Sequence, residues 1–155
     1  MNLISKLLPL SNVILDLDVS SKKRVFEQVG LLYENNHHIA RSQVFDSLFA
    51  REKLGSTAVG NGVAIPHGKL AKLGRLFGLF ARLHRPIDFE ALDNQPVDLI
   101  FLLLAPEGAG ADHLKALARV ARQLRDPEIA QRLRESSDAD ALYAVLARPP
   151  ASTAA

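Results

Sequence analysis

The chain has 155 residues, 48% of them hydrophobic and 23% charged, which is an ordinary composition for one globular domain with a sizeable core. It has no cysteine, which excludes disulfides, thiolate catalysis and cysteine-based zinc sites and suits a reducing compartment. Because 19 basic and 17 acidic residues nearly balance, the charge predicts neither a nucleic-acid partner nor membrane binding.

The sequence predicts no membrane segment and no export signal. Its longest apolar runs, such as residues 99–105, are far shorter than the ~20 residues that a membrane-spanning helix needs. The first residues, MNLISKLLPLSNV, carry one lysine and a short apolar stretch, but no small-residue cleavage site follows. We therefore expect a cytoplasmic protein without membrane insertion.

A strand and two helices are predicted in the first third of the chain. Residues 12–17 favour a short strand, and from Ser20 onward apolar residues recur at helical spacing. A loop at 35–38 separates this helix from a second one, which ends at Gly55 and has Arg51 in its last turn. The apolar positions of the first helix are Val25, Phe26, Val29, Leu32 and Tyr33.

The middle of the chain is rich in strand signals. Residues 60–62, Gly-Asn-Gly, separate two short β-prone runs and predict a tight hairpin, and Pro66 ends the second run. Residues 76–83 and 98–105 are apolar almost without alternation, as expected of central strands covered on both faces. Between them, 85–96 is rich in Pro, Asp and Asn and predicts a surface connection.

Three helices are predicted beyond Gly110. Asp112 is a plausible cap for the first of them. Asp126, followed by Pro127 and Glu128, starts the second, and residues 137–140 start the third in the same way. The apolar positions of the first helix are Leu114, Leu117, Ala118, Ala121 and Leu124.

These elements indicate an α/β fold: a mixed central β-sheet flanked by helices on both faces, that is, a three-layer sandwich. We expect one domain at residues 1–148. The tail, residues 149–155, has no apolar periodicity and is expected to be flexible.

Among five histidines, His67 is the most informative. It follows Pro66 and precedes Gly68, which is expected to place it at an accessible rim of the sheet. A neutral imidazole there can accept a phosphoryl group and pass it on, because the phosphohistidine bond is labile. Taken alone, without any context, a histidine more often serves a structural hydrogen bond.

Two further residues could support chemistry on a phosphoryl group. His113 is expected in the first turn of a helix, where backbone N–H groups and the helix dipole favour an anion. Arg51 could bind phosphoryl oxygens through its forked guanidinium. Each also has an ordinary interpretation, as a polar first-turn residue or as an arginine stabilising a helix C-terminus. We further expect the hydroxyls of Ser56 and Thr57 to line the same rim.

Three segments resemble one known family. Residues 51–69 (REKLGSTAVGNGVAIPHGK) closely resemble the phosphorylation segment of the fructose, mannitol and nitrogen-regulatory IIA proteins of the bacterial phosphotransferase system. Residues 87–106 and 113–124 resemble the second and third conserved blocks of that family. The resemblance extends over nearly the whole chain and implies a single type-2 IIA domain with a mannitol-IIA-like fold.

The resemblance implies a function and a site. His67 corresponds to the histidine that accepts phosphate, normally on Nε2, from the phosphohistidine of HPr or a nitrogen-related equivalent. His113 and Arg51 correspond to groups that stabilise the phosphoryl oxygens. The implied mechanism is in-line transfer between two imidazoles, with no metal or organic cofactor.

The family also implies a branch and a set of partners. The chain carries one IIA-like unit, which favours the nitrogen-regulatory branch over the sugar branch. Members of this regulatory branch are thought to report their phosphorylation state to regulatory and transport proteins, including potassium-handling proteins. The chain is therefore expected to be a phosphotransferase component with a regulatory role.

Three alternatives stay open at this level. The chain could be a sugar-specific IIA component that passes phosphate to a IIB domain, or a binding module that no longer accepts phosphate. It could also be a metallohydrolase with His67, His113 and Asp112 as ligands, although adjacent Asp112 and His113 offer poor chelate geometry.

Overall fold

Six strands form one mixed sheet in the computed structural model, which describes residues 3–147. The predicted flexible tail, residues 149–155, lies outside the described residues. The strands are β1 (Val13–Leu17), β2 (Ala58–Gly60), β3 (Val63–Ala64), β4 (His67–Leu70), β5 (Phe77–Ile87) and β6 (Val97–Pro106).

The two long apolar strands lie at the centre of the sheet, as predicted. β5 and β6 pair in antiparallel fashion, with Phe80 opposite Phe101. β1 is parallel to β5, both β3 and β4 are parallel to β6, and β2 is antiparallel to β3. The strand order is β1-β5-β6-β3-β2, with β4 also on β6, so the sheet is mixed.

Helices cover both faces of this sheet, which confirms the three-layer prediction. Along β6, Ile100 packs in the core beneath α2 and α3, whereas Phe101 packs in the core beneath the other four helices. Within residues 3–147, no helix combines the length and the apolar composition needed to cross a membrane. The helices are α1 (Leu3–Leu7), α2 (Lys22–His37), α3 (Arg41–Lys53), α4 (Ala111–Arg125), α5 (Pro127–Glu135) and α6 (Ala139–Ala147).

Two predicted connections were wrong in extent. The loop expected at 35–38 is mostly helix, because α2 continues through His37 and ends only at His38, which is left-handed with φ of 58°. The surface connection expected at 85–96 contains the fully buried Phe89, whose ring meets Phe26 edge-on at 6.4 Å. β5 also extends to Ile87, since a register shift before that residue accommodates Pro86.

Of the three helices predicted beyond Gly110, two begin with the predicted capping residues. The Asp126 carboxylate accepts the Glu128 N–H at 2.9 Å, and Asp138 accepts the Ala141 N–H at 2.8 Å. For α4, Gly110 occupies the capping position with φ of 52° and Asp112 lies in the first turn, so the predicted Asp112 cap was wrong. In the first turn, the Asp112 carboxylate instead stabilises α4 by its interaction with the positive end of the helix dipole.

The predicted hairpin leads directly to His67. Gly60, Asn61 and Gly62 all have positive φ, at 100°, 56° and 81°, which permits the tight turn between β2 and β3. The chain then pairs with β6 as strand β3. The strand is interrupted at Pro66, and the chain pairs with β6 again as strand β4. We expected Pro66 to end a strand with His67 at the rim, but His67 is the first residue of a new strand.

Helix α3 is fastened to β4 beside His67. The Ser47 hydroxyl donates to the Lys69 carbonyl at 2.9 Å. An added Cβ at Gly68 would collide with the Ser47 side chain, so only glycine permits this approach of helix and strand. Arg51 lies one helical turn beyond Ser47 on the same face of α3. The contact therefore places Arg51 next to His67.

We predict that Gly68→Ala destabilises the protein by about 1–3 kcal/mol, because the methyl group forces Ser47 and α3 away from β4. Gly74→Ala is the matched control, since a Cβ at Gly74 meets nothing within 4 Å. Urea unfolding of both variants measures the difference. Equal stability of the two variants would show that α3 does not pack this tightly.

Candidate functional site

The two ring nitrogens of His67 have different partners. Nδ1 lies 2.9 Å from the Ile65 carbonyl oxygen, and Nε2 lies 3.2 Å from Nε of Arg51. A carbonyl oxygen only accepts and a guanidinium only donates. Nδ1 therefore carries the proton in the neutral ring, and Nε2 holds the free lone pair.

Arg51 is held in place by a second hydrogen bond. Its Nη1 donates to the Gly55 carbonyl at 2.8 Å, within the turn that follows α3. The Leu54 and Gly55 N–H groups in turn donate to the Arg51 and Glu52 carbonyls at the end of the helix. The guanidinium thus has a fixed position beside His67 with further N–H groups available, as an oxyanion site requires.

His113 joins the same site from the other side of the sheet edge. Its ring centroid lies 5.6 Å from that of His67, with 54° between the planes. The side chain is buried, and within residues 3–147 its Nδ1 has no hydrogen-bond partner. The fold thus brings together Arg51, His67 and His113, which are far apart in the sequence.

The environment keeps both imidazoles neutral. Burial lowers the pKa of His67 below 6.5; the Ile65 hydrogen bond opposes this shift, and the Arg51 charge adds to it. Burial, followed by the charges of His67 and Lys69, lowers the pKa of His113.

The two lowered pKa values make stability depend on pH. The unfolded chain binds protons at these two histidines more readily than the folded chain does. The stability these groups contribute is complete above about pH 6.5 and is lost as pH falls through the folded pKa.

Ser56 and Thr57 lie at the site, but their hydroxyls have partners within the protein. The Ser56 hydroxyl donates to the Phe89 carbonyl at 2.5 Å. The Thr57 hydroxyl donates to Glu52 at 2.6 Å, and Thr57 is buried. Both residues line the pocket beside His67, so their expected contribution to binding stays a prediction.

The pocket beside His67 is small, and three exposed apolar side chains lie close in the sequence to residues of the site. Its volume is about 220 Å³, and Leu117 and Ala121 of α4 form its far wall. Next to the site residues in the chain, Leu54 is 84% exposed, Val59 is 50% exposed and Leu114 is 67% exposed. Apolar side chains left in water around a site are typical of a surface that receives another protein.

The metallohydrolase alternative lacks a ligand set. Within residues 3–147, no three His, Asp or Glu side chains are grouped closely enough to hold a metal ion. Asp112 follows the N-cap of α4 by two residues, and among these described residues no hydrogen bond or ion pair joins it to His67 or His113. The geometry favours the two imidazoles and the guanidinium as the functional unit.

Comparison with known families agrees with this geometry. The model described as "Phosphoenolpyruvate-dependent sugar phosphotransferase system, EIIA 2" matches residues 6–148. The chain belongs to this EIIA family. The nitrogen regulatory protein of Bradyrhizobium diazoefficiens is 63% identical over 138 residues, which are 89% of this chain and 90% of that protein.

Solved structures show the same fold as this EIIA chain. The crystal structure of nitrogen regulatory protein IIA-Ntr from Neisseria meningitidis matches with a TM-score of 0.88 and 46% identity, over 93% of this chain and 99% of that one. Mannitol IIA from Escherichia coli matches with a TM-score of 0.76 over 90% and 98% of the two chains. At 19% identity the mannitol protein shows the fold alone, and the predicted mannitol-IIA-like architecture is confirmed.

Sequence reasoning missed two parts of the EIIA site. Glu52 is buried and bonds Thr57, and the Ile65 carbonyl fixes the tautomer of His67. A main-chain carbonyl leaves no signal in a sequence. Glu52 left a weak one, because it lies beside Arg51 at the end of an amphipathic helix, where a carboxylate opposes the dipole.

We predict that His67 of this EIIA domain titrates below pH 6.5 in ¹⁵N NMR spectra and that Arg51→Gln raises its pKa, because the substitution removes a neighbouring cation. A glutamine side chain retains part of the reach of arginine, so burial of the ring changes little. The Arg24→Gln control removes an exposed cation on α2 that pairs with Glu27. An unchanged His67 pKa in Arg51→Gln would contradict the contact between the two side chains.

Proposed function

We propose that the chain is a regulatory phosphocarrier of the nitrogen-related phosphotransferase system. In this proposal Nε2 of His67 accepts a phosphoryl group from the phosphohistidine of an HPr-like protein. The phosphorylation state of His67 then regulates partner proteins, with potassium-handling proteins among the expected targets. The protein acts in the cytoplasm, where the donor system operates.

The observation that supports this proposal best is the tautomer of His67. Its Nε2 is unprotonated and accepts a hydrogen bond from Nε of Arg51, while its Nδ1 proton is held by the Ile65 carbonyl. A nucleophilic imidazole needs this arrangement, since only a neutral ring can attack phosphorus. The lowered pKa of His67 keeps the ring neutral at pH 7.

The transfer step follows from these contacts. As the bond between phosphorus and the donor imidazole breaks, its electron pair returns to the donor ring and the Nε2 lone pair of His67 forms the new P–N bond. The Nδ1 proton stays on His67, and the Ile65 carbonyl stabilises the positive charge that develops on the ring. Arg51 turns from Nε2 to the phosphoryl oxygens, and His113 lies close enough to donate to them.

The surface favours a protein as donor. Pockets for small molecules usually measure about 300–1,000 Å³, whereas the pocket beside His67 measures about 220 Å³. In this proposal the exposed Leu54, Val59 and Leu114, which lie close in the sequence to site residues, contact the donor protein. Phosphorylation adds a charge of about −1.5 to −2 at this site and so changes which partners it can accept.

The regulatory branch is supported by sequence identity. The chain shares 63% of 138 aligned residues with a nitrogen regulatory protein but 32% of 145 with a fructose-specific EIIA component. A sugar-specific IIA component would pass its phosphoryl group rapidly to a sugar IIB domain. Rapid transfer to such a domain would therefore contradict the regulatory assignment.

We predict that His67→Ala abolishes phosphorylation. The protein is incubated with phosphoenolpyruvate, the first enzyme of the system and its HPr-like carrier, and intact mass is measured at neutral pH. Wild type should gain one acid-labile phosphoryl group and His67→Ala none, whereas the matched His84→Ala should behave as wild type, since His84 is exposed and pairs with Asp16. Uptake at the wild-type rate by His67→Ala would refute the site, and no uptake by wild type would favour the binding module.

We predict that Arg51→Ala slows phosphorylation about 100-fold without lowering the final occupancy, because it removes donors to the transition state but keeps the nucleophile. Arg51→Lys should be intermediate, since one ammonium cannot reach both His67 and Gly55 as the guanidinium does. His113→Ala should also slow transfer. Quenched-flow rates at saturating donor measure these effects, and wild-type rates in Arg51→Ala would show that the guanidinium has no role.

A further inference from the structure

Glu52 is a buried carboxylate with all of its contacts directed inward. Its side chain is only 3% exposed. Oε1 accepts the Thr57 hydroxyl at 2.6 Å, while Oε2 accepts both the Thr57 N–H and the Lys22 ammonium at 3.0 Å. A carboxylate is costly to bury unless it is paired and hydrogen-bonded, and both oxygens of Glu52 meet this condition.

From Thr57 two hydrogen bonds lead to the reactive ring. The Thr57 carbonyl accepts the Ile65 N–H at 3.0 Å. The Ile65 carbonyl accepts the Nδ1 proton of His67 at 2.9 Å. Glu52, Thr57, Ile65 and His67 therefore form one continuous series of contacts from the end of α3 to the ring.

The orientation of the Ile65 carbonyl depends on this series of hydrogen bonds. The next residue is Pro66, which has no N–H, so the peptide that carries the Ile65 carbonyl donates nothing to the sheet. β3 ends at Ala64 and β4 begins at His67, which leaves Ile65 outside both strands. The bond from the Ile65 N–H to Thr57 restrains its orientation on one side, and the bond from the Leu103 N–H to the Pro66 carbonyl restrains it on the other.

We propose that Glu52 is a positioning residue for phosphoryl transfer: through Thr57 and Ile65 it keeps the proton of His67 on Nδ1 and leaves Nε2 free for phosphorus. This inference rests on the proposed function of His67. Glu52 does not touch the reacting atoms. Its effect on the reaction passes through the orientation of the Ile65 carbonyl.

A simpler role for Glu52 would be to neutralise Lys22. However, the Lys22 ammonium also pairs with Glu90 at 2.9 Å and lies 4.9 Å from the centre of the Phe89 ring. Lys22 therefore keeps a counterion without Glu52. Glu90 is 76% exposed and does not contact Thr57, so Glu90→Gln separates the two roles.

The experiment reads the tautomer of His67 from two-bond ¹H–¹⁵N correlations in the full chain, without any phosphoryl donor. Glu52→Met removes both acceptor oxygens at a similar side-chain length, so neither the Thr57 hydroxyl nor the Thr57 N–H keeps its partner. Thr57→Val removes the hydroxyl at nearly constant volume, while Thr57→Ser restores it. Phosphorylation rates are then measured with the same proteins.

We expect Glu52→Met to move His67 toward the Nε2–H tautomer and to slow phosphorylation about tenfold, because small displacements at a reacting group have effects of this size or larger. Thr57→Val should do the same to a smaller extent, since the Thr57 N–H bond to Glu52 remains. Glu90→Gln and Thr57→Ser should match wild type in both measurements.

A wild-type tautomer in folded Glu52→Met would overturn the inference. If Glu52→Met does not fold, the comparison of Thr57→Val with Thr57→Ser decides, and identical spectra of these two variants would overturn the inference. A tautomer change in proteins that never take up phosphate would refute the proposed function and leave the positioning by Glu52 supported.

Discussion

The hydrogen bond from Nδ1 of His67 to the Ile65 carbonyl is the contact on which the account of this protein depends. This bond gives different roles to the two ring nitrogens, either of which could otherwise carry the proton. One nitrogen is fixed to the main chain, and the other is left as a nucleophile beside a permanent cation. Burial of the ring lowers its pKa and so keeps the nucleophile uncharged at neutral pH, although the hydrogen bond itself opposes that shift.

The fold supplies this arrangement through three separate packings. Ser47 fastens α3 to β4 and so delivers Arg51, one turn away, to the Nε2 side of the ring. The break at Pro66 turns the Ile65 carbonyl toward Nδ1 instead of into the ladder. Helix α4 brings His113 against His67 across the end of the sheet. The contacts in these three packings are uncharged or small, so the charged groups of the site remain available to bind a ligand.

The sequence predicted the architecture well because its strongest signals are physical. Two almost continuous apolar runs favoured strands buried on both faces, and Gly60 to Gly62 favoured a tight turn; the structure has both. The segment around Phe89 was misjudged, since prolines and aspartates outweighed one buried aromatic residue. Arg51, His67 and His113 could be linked only through family resemblance, because spacing says nothing about contacts between distant elements. Glu52 was missed because its weak signal, a carboxylate near the C-terminal end of α3, does not show that the side chain is buried.

The most direct test of the central claim is to determine which nitrogen of His67 carries phosphorus, from ³¹P–¹⁵N couplings in the phosphorylated, ¹⁵N-histidine-labelled protein. The contacts of the ring predict a single bond at Nε2, with Nδ1 still hydrogen-bonded to Ile65. Phosphorus on Nδ1, or on another residue, would contradict the account.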